Sequence, residues 1–193
     1  MDTEKYIATT RQRTGVTLTP GDAECCASFW SGRTHQEATA NLVQLFTNGE
    51  LTDDALTVLL PKVWTSKADD CQVPVDTWRA MFAKIPYTVN AEVSPRPRRR
   101  LRLFRGATPE HRYGLSWTRD KEQATYFATR RQDPRDRYAT VWVCDVPPDR
   151  FLADLGKRSM ESEIVCDVRG LDLRELGTEE RPSALRRLVR RLR

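Results

Sequence analysis

Three short stretches in the second half of the chain carry residue types suited to chemistry. Glu161-Ser162-Glu163 sets two carboxylates two residues apart. On an extended strand such residues project from one face, about 7 Å apart at their roots. Like charges turned inward are costly unless a cleft, a cation or a ligand hydroxyl compensates, and the neighbours Ile164, Val165 and Val168 mark this strand as largely buried. Ser116 and Thr118 repeat the i, i+2 spacing, and two hydroxyls on one face can orient a sugar hydroxyl or a carboxylate. Arg105 follows the apolar residues Leu101, Leu103 and Phe104 and precedes Gly106. An arginine there can fork onto a pyrophosphate, and glycine lets a ligand approach the backbone closely. Each stretch also has a plainer reading: an exposed edge strand for the acids, ordinary strand hydroxyls, and one more arginine in an arginine-rich region.

The elements that must position these groups follow from period and punctuation. The first half reads as helices. Thr19-Pro20 offers a cap and a proline at the first helical position, Thr34 to Glu37 has capping-box spacing ahead of Ala38, Leu42, Leu45 and Phe46, and Thr52 opens a third helix disturbed by Pro61. Asp76 is expected to cap a fourth, with Trp78, Met81, Phe82 and Ile85 on one face. The proline- and arginine-rich run from Ser94 to Arg100 then reads as an exposed junction. Beyond it the period shortens. Strands are expected at Leu101–Ala107, Gly114–Thr118, Tyr138–Val146 and Glu161–Val168, with an Asp120-capped helix through Ala124, Phe127 and Ala128. The fold class expected is α+β: a helical region over residues 1–95, a mixed or antiparallel sheet core with helices over 96–175, and a basic helix or tail over 176–193.

Composition narrows the classes. The 193 residues carry a net charge of +5, but residues 1–95 hold 8 Lys/Arg against 12 Asp/Glu, and residues 96–193 hold 24 against 15. The basic half concentrates charge at Arg96, Arg98–Arg100 and Arg102 and again at Arg186–Arg193, which suits phosphates of a nucleic acid or a cofactor, or simply a solvated face. No apolar run approaches the roughly 18 residues of a membrane span, and the polar start MDTEKYIATT has no signal-peptide pattern. A cytoplasmic protein is expected. Five cysteines without CxxC spacing, with only His35 and His111 to assist, suggest reduced, mostly buried thiols and no metal site.

The order and spacing of the three stretches taken together resemble the arginine–serine–glutamate class of mono-ADP-ribosyltransferases, most closely its compact, toxin-like members in bacteria and their phages. The resemblance runs from Leu101 to Val168 through Phe-Arg-Gly, Gly-Leu-Ser-Trp-Thr, the helix with Ala-Thr-Tyr-Phe-Ala, and Glu-x-Glu. The upstream Leu-Pro-Lys-Val-Trp-Thr-Ser segment and the Trp78 helix look like the helical lead-in of such proteins. The resemblance implies that Arg105 holds the NAD phosphates and ribose, that the Gly106 backbone bonds the nicotinamide amide, and that Ser116 and Thr118 support the cofactor and position the acid. Phe127, with Tyr113 as a rival, would stack on nicotinamide. Glu163 would be the catalytic acid and Glu161 would activate the acceptor. Two features depart from the pattern: Thr118 replaces a serine, and only Leu155 to Met160 stands where an acceptor-recognition loop is usual.

The function expected is therefore transfer of ADP-ribose from NAD to a macromolecule with release of nicotinamide, without a metal. A protein side chain such as arginine is the favoured acceptor and a nucleic acid the other. The alternatives are an NAD glycohydrolase, a non-catalytic nucleic-acid-binding protein, and a takeover or defence protein that works by partner binding through the acidic helical half.

Overall fold

The computed structural model describes residues 1–66, 72–130, 139–156 and 162–176. Five helices come first, and their ends follow the capping chemistry. Helix α1 (Thr3–Thr14), which the sparse apolar pattern around Tyr6 and Ile7 did not announce, starts where the Asp2 carboxylate accepts the Lys5 N–H at 3.0 Å. Gly15 ends it with a left-handed φ of 76°. Reciprocal caps start α2 (Pro20–Ser28) at Thr19 and Asp22, and α3 (His35–Thr47) at Thr34 and Glu37. The Thr52 hydroxyl accepts the Ala55 N–H at 3.0 Å at the start of α4 (Asp53–Ser66), and also donates to Asp22 at 2.8 Å, tying two helix starts together.

Helix α4 is the spine of this half, buried over most of its length from Ala55 to Trp64. Pro61 lies inside it without ending it. Proline brings no N–H for the i−4 hydrogen bond, yet the helix carries on one more turn to Ser66 and presents Trp64. Helix α5 (Val75–Lys84) corrects one expectation: Asp76 is not its cap. Pro74 occupies that position with no side-chain bond, and Asp76 sits in the first turn, paired with Arg79.

The sheet has eight strands in the order β2-β1-β6-β7-β4-β3-β5-β8. Strands β3 (Leu101–Ala107), β4 (Ser116–Thr118), β5 (Thr140–Val146) and β7 (Glu163–Cys166) match the expected stretches, trimmed at their ends, and β6 is Phe151–Asp154. Strand β1 (Thr88–Val89) pairs parallel with β6, while every other pairing is antiparallel. Strands β1, β2 (Glu92–Val93) and β8 (Arg174–Glu175) were not anticipated. Each has two residues, too few for a period to show. The β1–β2 turn is made by Asn90 and Ala91 at φ of 54° and 70°, the left-handed pair that matches the twist of a tight hairpin.

Strand pairing and the largest apolar cluster both draw on residues from either side of position 95. Strands β1 and β2 precede the proline–arginine run yet belong to the same sheet as the strands after it. The largest apolar cluster likewise mixes α2, α4 and α5 residues with Leu115, Leu152, Leu155 and Val165. The run joins two parts of one structure. The opposite face of the sheet carries a second cluster around Leu103, Trp117, Trp142, Phe151 and Ile164. Helix α6 (Lys121–Arg130) lies on β3, with Asp120 receiving the Glu122 and Gln123 N–H groups as expected of a cap. The expected basic tail from residue 177 onward lies outside the described residues. No helix among those described is long and apolar enough to cross a membrane.

Candidate functional site

Strands β7, β4 and β3 are consecutive in the sheet, so Glu163, the Ser116/Thr118 pair and Arg105 come from three adjacent strands. Register refines this. Thr118 faces Phe104 on one side and Glu163 on the other, putting those three residues in one row across the sheet. Ser116 lies opposite Val165, two positions along. Alternation turns Arg105 to the other face, where its cross-strand neighbour is Trp142. Glu163 and Thr118 are thus direct neighbours, and Arg105 stands one strand further and on the reverse side.

Arg105 occupies the place where β3 and β4 part. The two strands share the pair Phe104–Thr118, and beyond it the guanidinium fills the gap, with Nη1 donating to the Ser116 carbonyl at 2.6 Å and Nε to the His111 carbonyl at 3.1 Å. Gly114 makes room for it, since a Cβ there would collide with the guanidinium. His111 ends a short 3-10 turn from Pro109 and is exposed. Gly106 has a different reason for being glycine from the one anticipated. A side chain there would strike the backbone of α6 at Ala124 and Ala128, so the close approach that glycine permits is made by a helix.

The hydroxyl of Thr118 serves the turn into α6: it accepts the Asp120 N–H at 3.0 Å and donates to Gln123 Oε1 at 3.1 Å. Ser116 is half-buried and engages Arg105 through its carbonyl. Of the two aromatic candidates, Phe127 is half-buried on α6 with its ring 5.8 Å from that of Tyr126, and Tyr113 is 39% exposed with the Arg112 guanidinium 4.7 Å above its ring.

Glu163 is the most distinctive residue of the group. It is only 7% exposed, on a strand buried throughout, and its Oε1 accepts the indole N–H of Trp64 at 2.9 Å across 99 positions of sequence. The expected pairing of Glu161 and Glu163 on one strand face rested on an extended Ser162. Ser162 instead has a φ of 46°, a left-handed conformation costly for a non-glycine residue, and β7 begins after it. Glu161 itself lies outside the described residues.

Next to the start of β7 opens a cleft of about 440 Å³, lined by Val89, Asn90, Arg119, Asp120, Asp154, Gly156 and Ser162. Its strand residues Val89 and Asp154 share the face of Ile164, the reverse of the one that carries Glu163 and Thr118. That volume falls within the roughly 300–1,000 Å³ typical of small-molecule sites. Arg119 and Asp154 are ion-paired at 3.2 Å, and the other oxygen of Asp154 receives the Gly156 N–H at 3.0 Å. Sequence reasoning missed Trp64 as a site residue, and it missed Arg119 and Asp154. For Trp64 the Val-Trp-Thr-Ser resemblance was a signal, but nothing local tells which strand an indole will meet.

The described thiols are poor nucleophiles. Burial pushes Cys26 up to about 12 and Cys144 up to about 11, and raises fully buried Cys166 well above the ordinary thiol value. Cys71 lies outside the described residues. Among those described, no group of three or more His, Cys, Asp or Glu side chains could hold a metal. Comparison of the chain with protein-family models, with curated proteins and with solved structures gives no match.

Proposed function

We propose that the chain is an NAD-dependent mono-ADP-ribosyltransferase. The observation that carries this reading is the Glu163 carboxylate, buried, held by the Trp64 indole and directly across from Thr118 on the neighbouring strand, with Arg105 one strand further on and on the other face. Cleavage breaks the bond between ribose C1 and the nicotinamide nitrogen, nicotinamide leaving with the bonding pair. Positive charge develops on the ribose ring, as in glycoside hydrolysis. A carboxylate such as Glu163, removed from water, stabilises that charge more than it stabilises the neutral ribose. An acceptor nucleophile then bonds to C1 and gives up its proton, the task that the sequence resemblance assigns to Glu161. Arg105 would serve the diphosphate, which must compete with the Ser116 and His111 carbonyls for the guanidinium.

Labelled NAD, the full chain and a cell lysate test this. The wild type is expected to release nicotinamide and place label in a macromolecule, and Glu163→Gln to lower kcat by about 100- to 1,000-fold, the usual cost of removing one preorganised electrostatic group. Undiminished labelling by Glu163→Gln counts against the assignment. NAD consumed without labelling favours the glycohydrolase. NAD left intact, with DNA binding that weakens steeply with salt, favours a nucleic-acid-binding role for the exposed Arg98–Arg100 run.

A further inference from the structure

We infer that Trp64 is a positioning residue for the Glu163 carboxylate, and that the helical half of the chain is thereby a working part of the site. The inference deepens the proposed function and rests on the reading of Glu163 given there. The geometry is specific. The indole N–H meets Oε1 at 2.9 Å with both side chains buried, Trp64 at 5% and Glu163 at 7% exposure. The indole is itself clamped. Trp78 stands edge-on to it at 5.1 Å and 86°, and Phe82 at 5.3 Å and 81°. Edge-to-face contacts of this kind fix a ring in position and tilt.

The chemistry of the donor matters as much as its position. Indole donates one hydrogen bond, accepts none and carries no charge. It can therefore orient a carboxylate without neutralising it. An arginine or lysine in its place would satisfy the same oxygen but would compete with a ribosyl cation for the negative charge. The main chain of Glu163 is pinned independently, because its carbonyl accepts the Leu155 N–H at 2.8 Å directly after the left-handed Ser162. With backbone and one carboxylate oxygen both held, the charge is aimed before substrate arrives, and preorganisation of that sort is what lowers a barrier.

A merely structural tryptophan would affect stability and leave turnover per folded molecule alone. Two substitutions separate the cases: Trp64→Phe keeps an aromatic ring and loses the donor, whereas Phe29→Leu loosens the same apolar cluster away from the indole and leaves the bond. In steady-state NAD cleavage by the full chain, well below each variant's melting temperature, Trp64→Phe is expected to lower kcat about 10- to 100-fold with KM for NAD within about twofold, as for loss of a charge-assisted hydrogen bond. Phe29→Leu should stay close to the wild type. A wild-type kcat in Trp64→Phe, or equal losses in both variants, overturns the inference. If Trp64→Phe does not fold, the indole ¹⁵N–¹H resonance of Trp64 decides. It is expected to move upfield in Glu163→Gln, where a neutral amide replaces the carboxylate, and an unmoved resonance overturns the inference. A folded wild type that leaves NAD intact overturns the reading of Glu163 itself, and the positioning role falls with it.

Discussion

Two glycines beside Arg105 separate stability from binding. At Gly106 an added methyl meets backbone atoms of α6, which cannot swing aside, so Gly106→Ala is expected to destabilise the fold by about 3 kcal/mol, the upper end of ordinary overpacking. Chemical denaturation measures it. At Gly114 the methyl meets the far end of the Arg105 side chain, which can rotate away. Gly114→Ala should therefore cost little stability but displace the guanidinium from the Ser116 and His111 carbonyls, raising KM for NAD severalfold with kcat less affected. A variant with unchanged KM and lost stability would show that Arg105 is a brace between strands and no more. The type and order of these residues were legible in the sequence, and so was the burial of the strand bearing Glu163. The side-chain partners were not: nothing near Glu163 indicates Trp64, and nothing near Thr118 indicates that its hydroxyl would serve the turn into α6.

Local punctuation served well wherever an element's end depends on neighbours in sequence. Thr19, Thr34, Thr52 and Asp120 start helices as their side chains demand. It failed where the reason was distant. Asp76 looks like a cap but is drawn to Arg79 and to Arg169 from the far end of the chain, at 3.4 Å. Asp167, next to β7, completes this group. Its carboxylate meets Arg169 at 2.9 Å, and buried Arg79 brings Nε within 3.3 Å of it without hydrogen-bond alignment. Burial pushes the Asp167 carboxyl up, but the Arg169 hydrogen bonds and the Arg79 charge outweigh it and hold it below the ordinary aspartate value. A carboxyl depressed on folding contributes stability above its unfolded value, and that contribution is lost as pH falls through the folded one. The wild-type urea midpoint is accordingly expected to drop as the solution is taken below about pH 4, and Asp167→Asn to show a lower midpoint at neutrality with a flatter acid fall. Equal slopes in both proteins would remove Asp167 from the account.

At the scale of the whole chain, helices and sheet share one apolar interior. Leu155, fully buried after β6, lies in the same cluster as Leu59, Leu60 and Trp78. Leu155→Ala is expected to cost about 2–5 kcal/mol, as for other buried leucine truncations. Circular dichroism and tryptophan fluorescence should also report one coincident unfolding transition. Separate transitions for helical and sheet signals would contradict the shared interior. The proline–arginine run suggested a boundary because composition changes there. Strands β1 and β2 cross that line because pairing of residue 88 with residue 153 is a long-range event that composition does not encode.

Among the described residues the sheet also ends in short strands on both sides. Its outermost described strands, β2 and β8, have two residues apiece, and β8 carries Arg174, whose guanidinium reaches back to Asp145 at 3.2 Å. A stub of that length offers a stray chain almost no ladder to extend. Among the described residues, the outermost strand on each side is thus a poor template for a fibril to copy.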